Sequence, residues 1–230
     1  MNPMPLPKLQ RERAVDAAYH ALRLAIVSST LRPGERLNID QLAAQLGVSL
    51  TPVRGAIQRL STEGLVDIHP RSGTFVASLT LQDVEETFQI RAALEGLAAE
   101  LAASALTTED LRRLRDLHKA LRRPIREQAD RDAHERLNSE FHQLILAASG
   151  NRRLQEMYTA LNAHIKIARI HAADSGWSAR QRRETAEHDA ILKALEARDP
   201  QAAGEALRRH IHRAKDALLA ALRSRLQANP

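Results

Sequence analysis

The pattern of apolar residues predicts two short helices joined by a sharp turn near the start of the chain. The first helix covers residues 42–46 and ends at Gly47, whose backbone freedom suits a tight turn. Ser49 is a good N-cap for the second helix, and Pro52 lies in its first turn, where a missing N–H costs little. Its buried stripe is Val53, Ile57 and Leu60. A helix, a turn and a second helix with polar tips form the pattern that inserts its second helix in the DNA major groove.

The sequence predicts a β-hairpin after this helix pair, with strands at residues 65–68 and 74–76 and a turn from His69 to Gly73. Upstream, residues 1–9 contain three prolines and are predicted to form a flexible arm. A helix follows from about Arg11 to Ser28, and Asp40 is expected to cap the next one. The first domain is therefore predicted to span residues 10–77, as a winged helix-turn-helix whose wing is the small β-hairpin.

From residue 78 to residue 230 the apolar pattern is helical throughout and contains no strand signal. Thr80 with Asp83, and Thr107 with Asp110, approximate capping boxes that mark two helix starts. Six helices are predicted, at about residues 80–104, 107–122, 125–148, 151–172, 178–198 and 200–226. The fold class is therefore mainly α, with a C-terminal all-α helical bundle of about six helices.

Leu42 to Val76, with its pattern LxxxLGVSxTPVRxAIxxLxxEGLVxxxxxxGTFV, resembles the winged DNA-binding domain of the GntR family of bacterial transcription regulators. The resemblance covers roughly residues 10–77 and includes PGERL, from Pro33. The helical part is similar to the FCD-type effector-binding domain of the FadR-type subfamily, through RAALEGLAAELA, NSEFHQLILAASGN, EHDAILKAL and ARDPQAAGEALRRHI. Six helices rather than seven place it in the shorter, VanR-like branch. Leu50 and Gly55 depart from the usual VSRTPVREAL pattern, which has Arg and Glu there.

The resemblance implies a regulator that represses a catabolic or transport operon and leaves its operator when a small organic acid binds. A palindromic operator needs two reading helices, so a homodimer on double-stranded DNA is expected. Arg54 is predicted to read a base, with guanine O6 and N7 as expected partners. The whole predicted DNA-binding set is Arg36, Thr51, Arg54, Gln58, Arg71 and Gly73, of which Arg71 and Gly73 lie at the wing tip.

Three histidines of the second domain are predicted to meet. His188 lies roughly ten residues before the Asp199-Pro200 turn and His210 about ten after it, so at ~1.5 Å per residue both stand ~15 Å from the turn of a helical hairpin. His142 lies on an apolar helix face, with Asn138 one turn before it. Three imidazoles and an oxygen donor suit a divalent metal ion, with zinc or nickel favoured. The alternative is that each histidine is a core residue with satisfied hydrogen bonds.

The resemblance favours the metal, because many FadR-type domains use Asp-x3-His and two later histidines as ligands. Asn138 stands where that motif has Asp, and an amide oxygen is a weaker, uncharged ligand. A metal-free site that binds the effector directly is therefore the alternative, and His134 is a possible further member. Arg91 is expected either to pair with Glu95 or to bind the effector carboxylate. It lies within a predicted apolar helix face made of Val84, Phe88, Leu94, Ala98 and Leu101. Arg169 is the second effector-binding candidate, with a solvated surface charge as the alternative.

Composition narrows the function classes. The chain has no Cys, which excludes disulfides and thiolate metal sites, and its aromatic content of 3% favours helices packed on helices. No run of about 18 apolar residues is present, and MNPMPLPKLQ lacks the apolar core of a signal peptide, so no membrane partner and a cytoplasmic location are expected. Without HExxH, a phosphate loop or a nucleophile motif, an enzyme is disfavoured. A metal-dependent enzyme or a metal-responsive regulator, with the His cluster as the catalytic or sensing site, is the alternative function.

Overall fold

The computed structural model describes residues 11–28, 30–78, 80–171 and 177–228, without the side chains of residues 11–13, 128, 162–171, 177–180, 225, 226 and 228. Contacts between Cα atoms divide the chain into two compact units, Met1–Leu79 and Thr80–Pro230. The predicted arm at residues 1–9 lies outside the described residues. Among the described residues, no helix combines the length and the apolar character that a membrane crossing requires.

The first unit is a winged helix-turn-helix. Its elements are α1 (Arg11–Val27), α2 (Ile39–Leu46), α3 (Leu50–Thr62), β1 (Val66–His69) and β2 (Gly73–Val76). The two strands pair antiparallel and form the hairpin of the wing, with Val66 opposite Val76 and His69 opposite Gly73. The predicted stripe of α3, made of Val53, Ile57 and Leu60, is buried, and α3 packs on α1, whose Leu22 and Ile26 are buried as well.

Two details of the helix ends differ from the sequence-based expectations. Asn38, not Asp40, is the N-cap of α2, and its side-chain oxygen accepts a hydrogen bond from the Gln41 backbone N–H at 3.1 Å. Asp40 lies inside the first turn, where its charge still interacts favourably with the helix dipole. Ser49 occupies the N-cap position of α3, but its side chain makes no capping hydrogen bond. The Gly47 turn is confirmed, because Gly47 ends α2 with a left-handed φ of 65°.

Gly55, in the middle of α3, allows α1 and α3 to approach closely. A Cβ at this position would lie 3.3 Å from Cγ1 of Val15, closer than most real contacts. The glycine therefore lowers the helix propensity of α3 but gives room to a side chain of the neighbouring helix.

The second unit contains six helices among its described residues, as predicted. They are α4 (Leu81–Ala105), α5 (Thr108–Leu121), α6 (Gln128–Ala148), α7 (Arg152–His171), α8 (Trp177–Glu196) and α9 (Pro200–Ala228). Both predicted capping boxes are present, at Thr80 with Asp83 and at Thr107 with Asp110. The mainly α fold class is thereby confirmed.

Among the described helices of the second unit, α4 and α9 share the most extensive contact, and two glycines allow them to approach closely. A Cβ on Gly96 would lie 2.7 Å from Cγ of Arg208, and a Cβ on Gly204 would lie 2.6 Å from Cγ of Glu100. Arg208 and Glu100 form an ion pair of 2.7 Å across the same contact. Small residues thus bring α4 and α9 close enough for this ion pair.

Candidate functional site

The three predicted histidines do meet, at the centre of the second unit. One ring nitrogen of each lies within 4.8 Å of the corresponding nitrogens of the other two. The ring centroids are 5.5 Å apart for His142 and His188, 5.1 Å for His142 and His210, and 4.6 Å for His188 and His210. All three side chains are buried, and Phe141 packs on the His188 ring at 4.8 Å. Helix α6 supplies His142, and the α8–α9 hairpin supplies the other two.

A carboxylate holds one nitrogen of His142 and leaves the other as a lone-pair donor. The Nδ1–H of His142 donates to Oε2 of Glu95 on α4, while its buried Nε2 has no hydrogen-bond partner among the described residues. Burial lowers the pKa of His142 to about 4, against the opposing effect of Glu95, so the ring is neutral at pH 7. A neutral imidazole with Nδ1 protonated offers Nε2 to a metal ion.

His210 shows the same arrangement with a second carboxylate. Its Nδ1–H donates to Oε2 of Glu187 at 2.8 Å, and its buried Nε2 has no hydrogen-bond partner in the described part of the chain. The other oxygen of Glu187 accepts from Nη1 of Arg213 at 3.0 Å. Burial raises the pKa of Glu187, but the hydrogen bonds from His210 and Arg213 outweigh burial and lower it. Glu187 is therefore an anion held between His210 and Arg213.

His188 is the third member, and it is also neutral at pH 7. Burial first, and then the neighbouring His210 and His142, hold the pKa of His188 well below its ordinary value. Three imidazoles that converge in a buried space, two of them oriented by carboxylates, fit the pattern of a transition-metal site. The interpretation of these residues as ordinary core histidines explains less, because it leaves buried nitrogens of His142 and His210 unsatisfied.

Arg91 forms the predicted ion pair with Glu95, and one nitrogen of its guanidinium has no hydrogen-bond partner among the described residues. Its Nε donates to Oε1 of Glu95 at 2.6 Å, and both side chains are 1% exposed. Tyr158 on α7 lies within hydrogen-bond reach of the same guanidinium. Nη1 of Arg91 is buried and has no hydrogen-bond partner among the described residues. Glu95 thus links Arg91 to His142, and Arg91 retains a donor for another acceptor.

The remaining predicted members of the site have different outcomes. Asn138 is buried one turn before His142 on α6, as the sequence pattern predicts. His134 is also buried, but its Nε2 lies 3.2 Å from Oε2 of Glu184, and it is not among the three clustered histidines. The side chain of Arg169 lies outside the described residues. The predicted apolar face of α4 was partly wrong, because Leu94 is half-buried and Leu101 is exposed.

Sequence reasoning missed the two carboxylates that orient the histidines. Glu95 was considered only as the partner of Arg91, because its contact with α6 depends on helix packing. Glu187 is next to His188 in sequence, and neighbouring helix positions point about 100° apart, so it does not share a face with His188. It lies twelve residues before Asp199, and His210 lies eleven after, so the hairpin geometry that paired His188 with His210 also predicts this contact.

The predicted DNA-binding residues occupy two surfaces of the first unit. Thr51, Arg54 and Gln58 are exposed on the α3 face opposite its buried stripe. The backbone of Arg36 forms an isolated antiparallel β-bridge with Phe75 of the wing. A Cβ on Gly73 would lie only 2.9 Å from Nε of Arg36, so this glycine gives the guanidinium its place. Arg71 is exposed in the wing turn, with a φ of 68° that is uncommon for a residue with a side chain.

Comparisons with known proteins match both units. A family model described as "FCD domain" matches residues 86–213, and one described as "Bacterial regulatory proteins, gntR family" matches residues 14–76. The HTH-type transcriptional regulator YdhC of Bacillus subtilis is 33% identical over 196 residues, which cover 84% of this chain and 86% of that protein. The HTH-type transcriptional repressor RspR of Escherichia coli is 30% identical over 198 residues, which cover 84% and 83%. The solved structure of E. coli McbR/YncC matches with a TM-score of 0.70 and 26% identity, over 89% of this chain and 96% of that chain.

Proposed function

Because the chain belongs to the GntR family of bacterial regulatory proteins and carries an FCD domain, we propose that it is a homodimeric, cytoplasmic repressor that a small organic acid releases from operator DNA. The protein is a DNA-binding transcription regulator, and the family and its relatives are regulators rather than enzymes. The regulated genes are proposed to form a catabolic or transport operon. The observation that carries the proposal is the buried cluster of His142, His188 and His210 in the second unit.

A divalent metal ion, zinc or nickel, is proposed to bind this cluster. His142, His188 and His210 would hold it, with Asn138 as an oxygen ligand from the same face of α6. The neutral state of His142 and His188 at pH 7 and the carboxylates behind His142 and His210 support metal binding. When bound, the ion would supply a positive Lewis-acidic centre for the carboxylate of the effector.

Metal analysis tests this assignment with a matched pair of variants on α9. Protein purified without chelator or affinity tag is expected to contain about one metal ion per chain. His210→Ala should lose the metal, whereas His212→Ala should keep it, because His212 is exposed two residues further along the same helix. A wild-type protein that contains no metal and is not stabilised by added zinc or nickel would favour the metal-free site.

The effector is proposed to be a small carboxylate that also contacts Arg91 and Arg169. Nη1 of Arg91 supports this role, because a buried guanidinium donor without a partner is a strong site for a carboxylate oxygen. A thermal-shift screen of carboxylic acids, with and without zinc, is expected to identify acids that stabilise the protein in proportion to concentration. The same acids should weaken operator binding measured by fluorescence anisotropy. If zinc alone weakens operator binding and no acid does, the protein is a metal-responsive regulator instead.

Arg54 is proposed to read a guanine, with Thr51, Gln58 and Arg36 on neighbouring phosphates and Arg71 beside Gly73 at the wing tip. The exposure of Thr51, Arg54 and Gln58 on one face of α3 supports this docking. Arg54→Ala should weaken operator binding by about 1–3 kcal/mol and relax its sequence preference. Arg113→Ala removes the same charge from an exposed position on α5 and should leave sequence preference unchanged. Equal losses in both variants would contradict base reading by Arg54.

The homodimer is supported by an apolar stripe along α4. Ile90, Leu97 and Leu101 are 49%, 42% and 39% exposed, and the half-buried Leu94 lies between them. Their spacing of four, three and four residues is that of a helix that packs against a partner helix. Leu97→Glu is expected to produce monomers in analytical ultracentrifugation, whereas Gln89→Glu, also exposed on α4, should leave the dimer intact.

A further inference from the structure

The proposed metal site contains no negatively charged ligand. An imidazole binds a metal ion through the lone pair of an uncharged ring, so three histidine ligands add no negative charge. Asn138 contributes an amide where the family motif has a carboxylate. All four side chains are at most 2% exposed, so a divalent ion bound to them would be buried. Its double positive charge would not be neutralised by any of the four ligands. Burying an uncompensated charge is costly, so before an effector carboxylate binds, the compensation has to come from groups beyond these four ligands.

Glu95 cannot provide much of this compensation. Its carboxylate is already shared with Arg91 at 2.6 Å, in a pair whose side chains are both 1% exposed. The positive guanidinium and the negative carboxylate lie side by side on α4, so their combined charge near the site is about zero. Glu95 therefore orients His142 but adds little net negative charge.

Glu187 is placed differently. Its carboxylate accepts from Nδ1–H of His210 at 2.8 Å, and its own cationic partner Arg213 lies on the outer side with 68% of its side chain exposed. Water and salt screen the charge of so exposed a guanidinium, whereas the Glu187 side chain is only 12% exposed. Of the two carboxylates that accept from His142 and His210, Glu187 is therefore the one whose charge is not cancelled by a buried cation.

We propose that Glu187 is a positioning residue for metal binding, which fixes the Nδ1-protonated form of His210 and supplies the negative charge that Asn138 does not. The inference rests on the metal site of the proposed function. Arg213 holds the second oxygen of Glu187 and so fixes the direction of the carboxylate toward His210. Outer carboxylates of this kind commonly change metal affinity by about 10-fold to 100-fold.

Zinc affinity, measured by competition with a chromophoric chelator, tests the proposal on the full-length protein. Glu187→Ala removes both the acceptor and the charge and should weaken zinc binding by about 10-fold to 100-fold. Glu187→Gln keeps an acceptor oxygen without the charge and should lie between Ala and wild type. Glu140→Gln removes the same charge from an exposed position on α6, next in sequence to Phe141, and should bind zinc within about twofold of wild type.

A second measurement separates this inference from the existence of the metal site. In chelated protein, long-range proton–nitrogen NMR spectra of the imidazoles should show His210 protonated at Nδ1 in wild type and a mixture of tautomers in Glu187→Ala. The free energy of unfolding of the chelated variants shows whether a change is merely structural. If wild type binds zinc and both Glu187 variants bind it with an affinity within about twofold of wild type, the inference is overturned but the metal site is not. A wild type that binds no zinc would overturn both, even with the tautomer as expected.

Discussion

The buried ion pair on α4 leads to a quantitative prediction about stability. Arg91→Met replaces the guanidinium by an apolar side chain of similar length and comparable helix propensity. The substitution leaves the Glu95 carboxylate buried, with His142 as its one remaining hydrogen-bond donor among the described residues. Burial by itself raises the pKa of Glu95, but Arg91 and then His142 outweigh burial and hold that pKa far below its ordinary value. Without Arg91, the largest of these opposing effects is lost.

The magnitude follows from the burial of both partners. Breaking a fully buried pair by removing one member costs about 3–5 kcal/mol, because the other charge stays buried without compensation. In the double variant Arg91→Met with Glu95→Leu no carboxylate remains, and the main loss is the hydrogen-bond partner of His142, about 1–3 kcal/mol. The double variant is therefore expected to be more stable than Arg91→Met alone. Arg112→Met is the matched control, since the side chains of Arg112 and its partner Glu109 are 60% and 61% exposed, so water screens the pair and its loss should change stability little.

Urea unfolding of chelated protein at pH 7 and fixed concentration measures these differences. The chain has one Trp, Trp177, at the start of α8, so its fluorescence reports on the second unit. The m-value should be unchanged, since the same surface is exposed on unfolding. The prediction is refuted if Arg91→Met lowers the free energy of unfolding by less than about 1 kcal/mol and no more than Arg112→Met does. Such a result would show that the buried Glu95 carboxylate is stable without a cationic partner.

Three further predictions concern the same unit. Burial lowers the pKa of His142 from 6.5 to about 4, so on acidification the unfolded chain takes up this proton before the folded chain does. The free energy of unfolding of chelated protein, measured in urea, should therefore decrease as the pH falls from 6.5 toward 4. His142→Asn should show a weaker decrease. Gly204→Ala should lower stability by about 1–3 kcal/mol in urea unfolding because its Cβ would meet Glu100, although Ala is the better helix former; a more stable variant would contradict the close α4–α9 contact. Thr107→Ala should lower the free energy of unfolding by about 0.5–2 kcal/mol, because the α5 capping box is lost. Thr108→Ala should lower it by less than about 0.5 kcal/mol. Similar thermal unfolding midpoints for the two variants would contradict a stabilising role of the capping box.

The sequence alone was sufficient for features that depend on regular local geometry. Gly47, the buried stripe of α3 and the two capping boxes follow from rules that act within a few residues, and all are present. His188 and His210 could be paired because the rise per residue of a helix is constant, so residues equally far from the turn of a helical hairpin lie side by side. The error at Asp40 has a local cause as well, because Asn38 is an equally good N-cap two residues earlier.

Tertiary packing decided what happens between helices that are distant in sequence. Glu95 contacts His142 only because α4 packs against α6, and no spacing along the chain encodes that contact, whereas its pair with Arg91 lies within α4. The partly wrong apolar face of α4 has the same origin, since α9 covers the side with Gly96 and leaves Leu97 and Leu101 exposed. The sequence by itself determined the helices, several of their caps and the pairing of His188 with His210, because backbone geometry repeats. Only the tertiary structure decided which carboxylate orients which histidine, because side chains from separate helices meet according to how those helices pack.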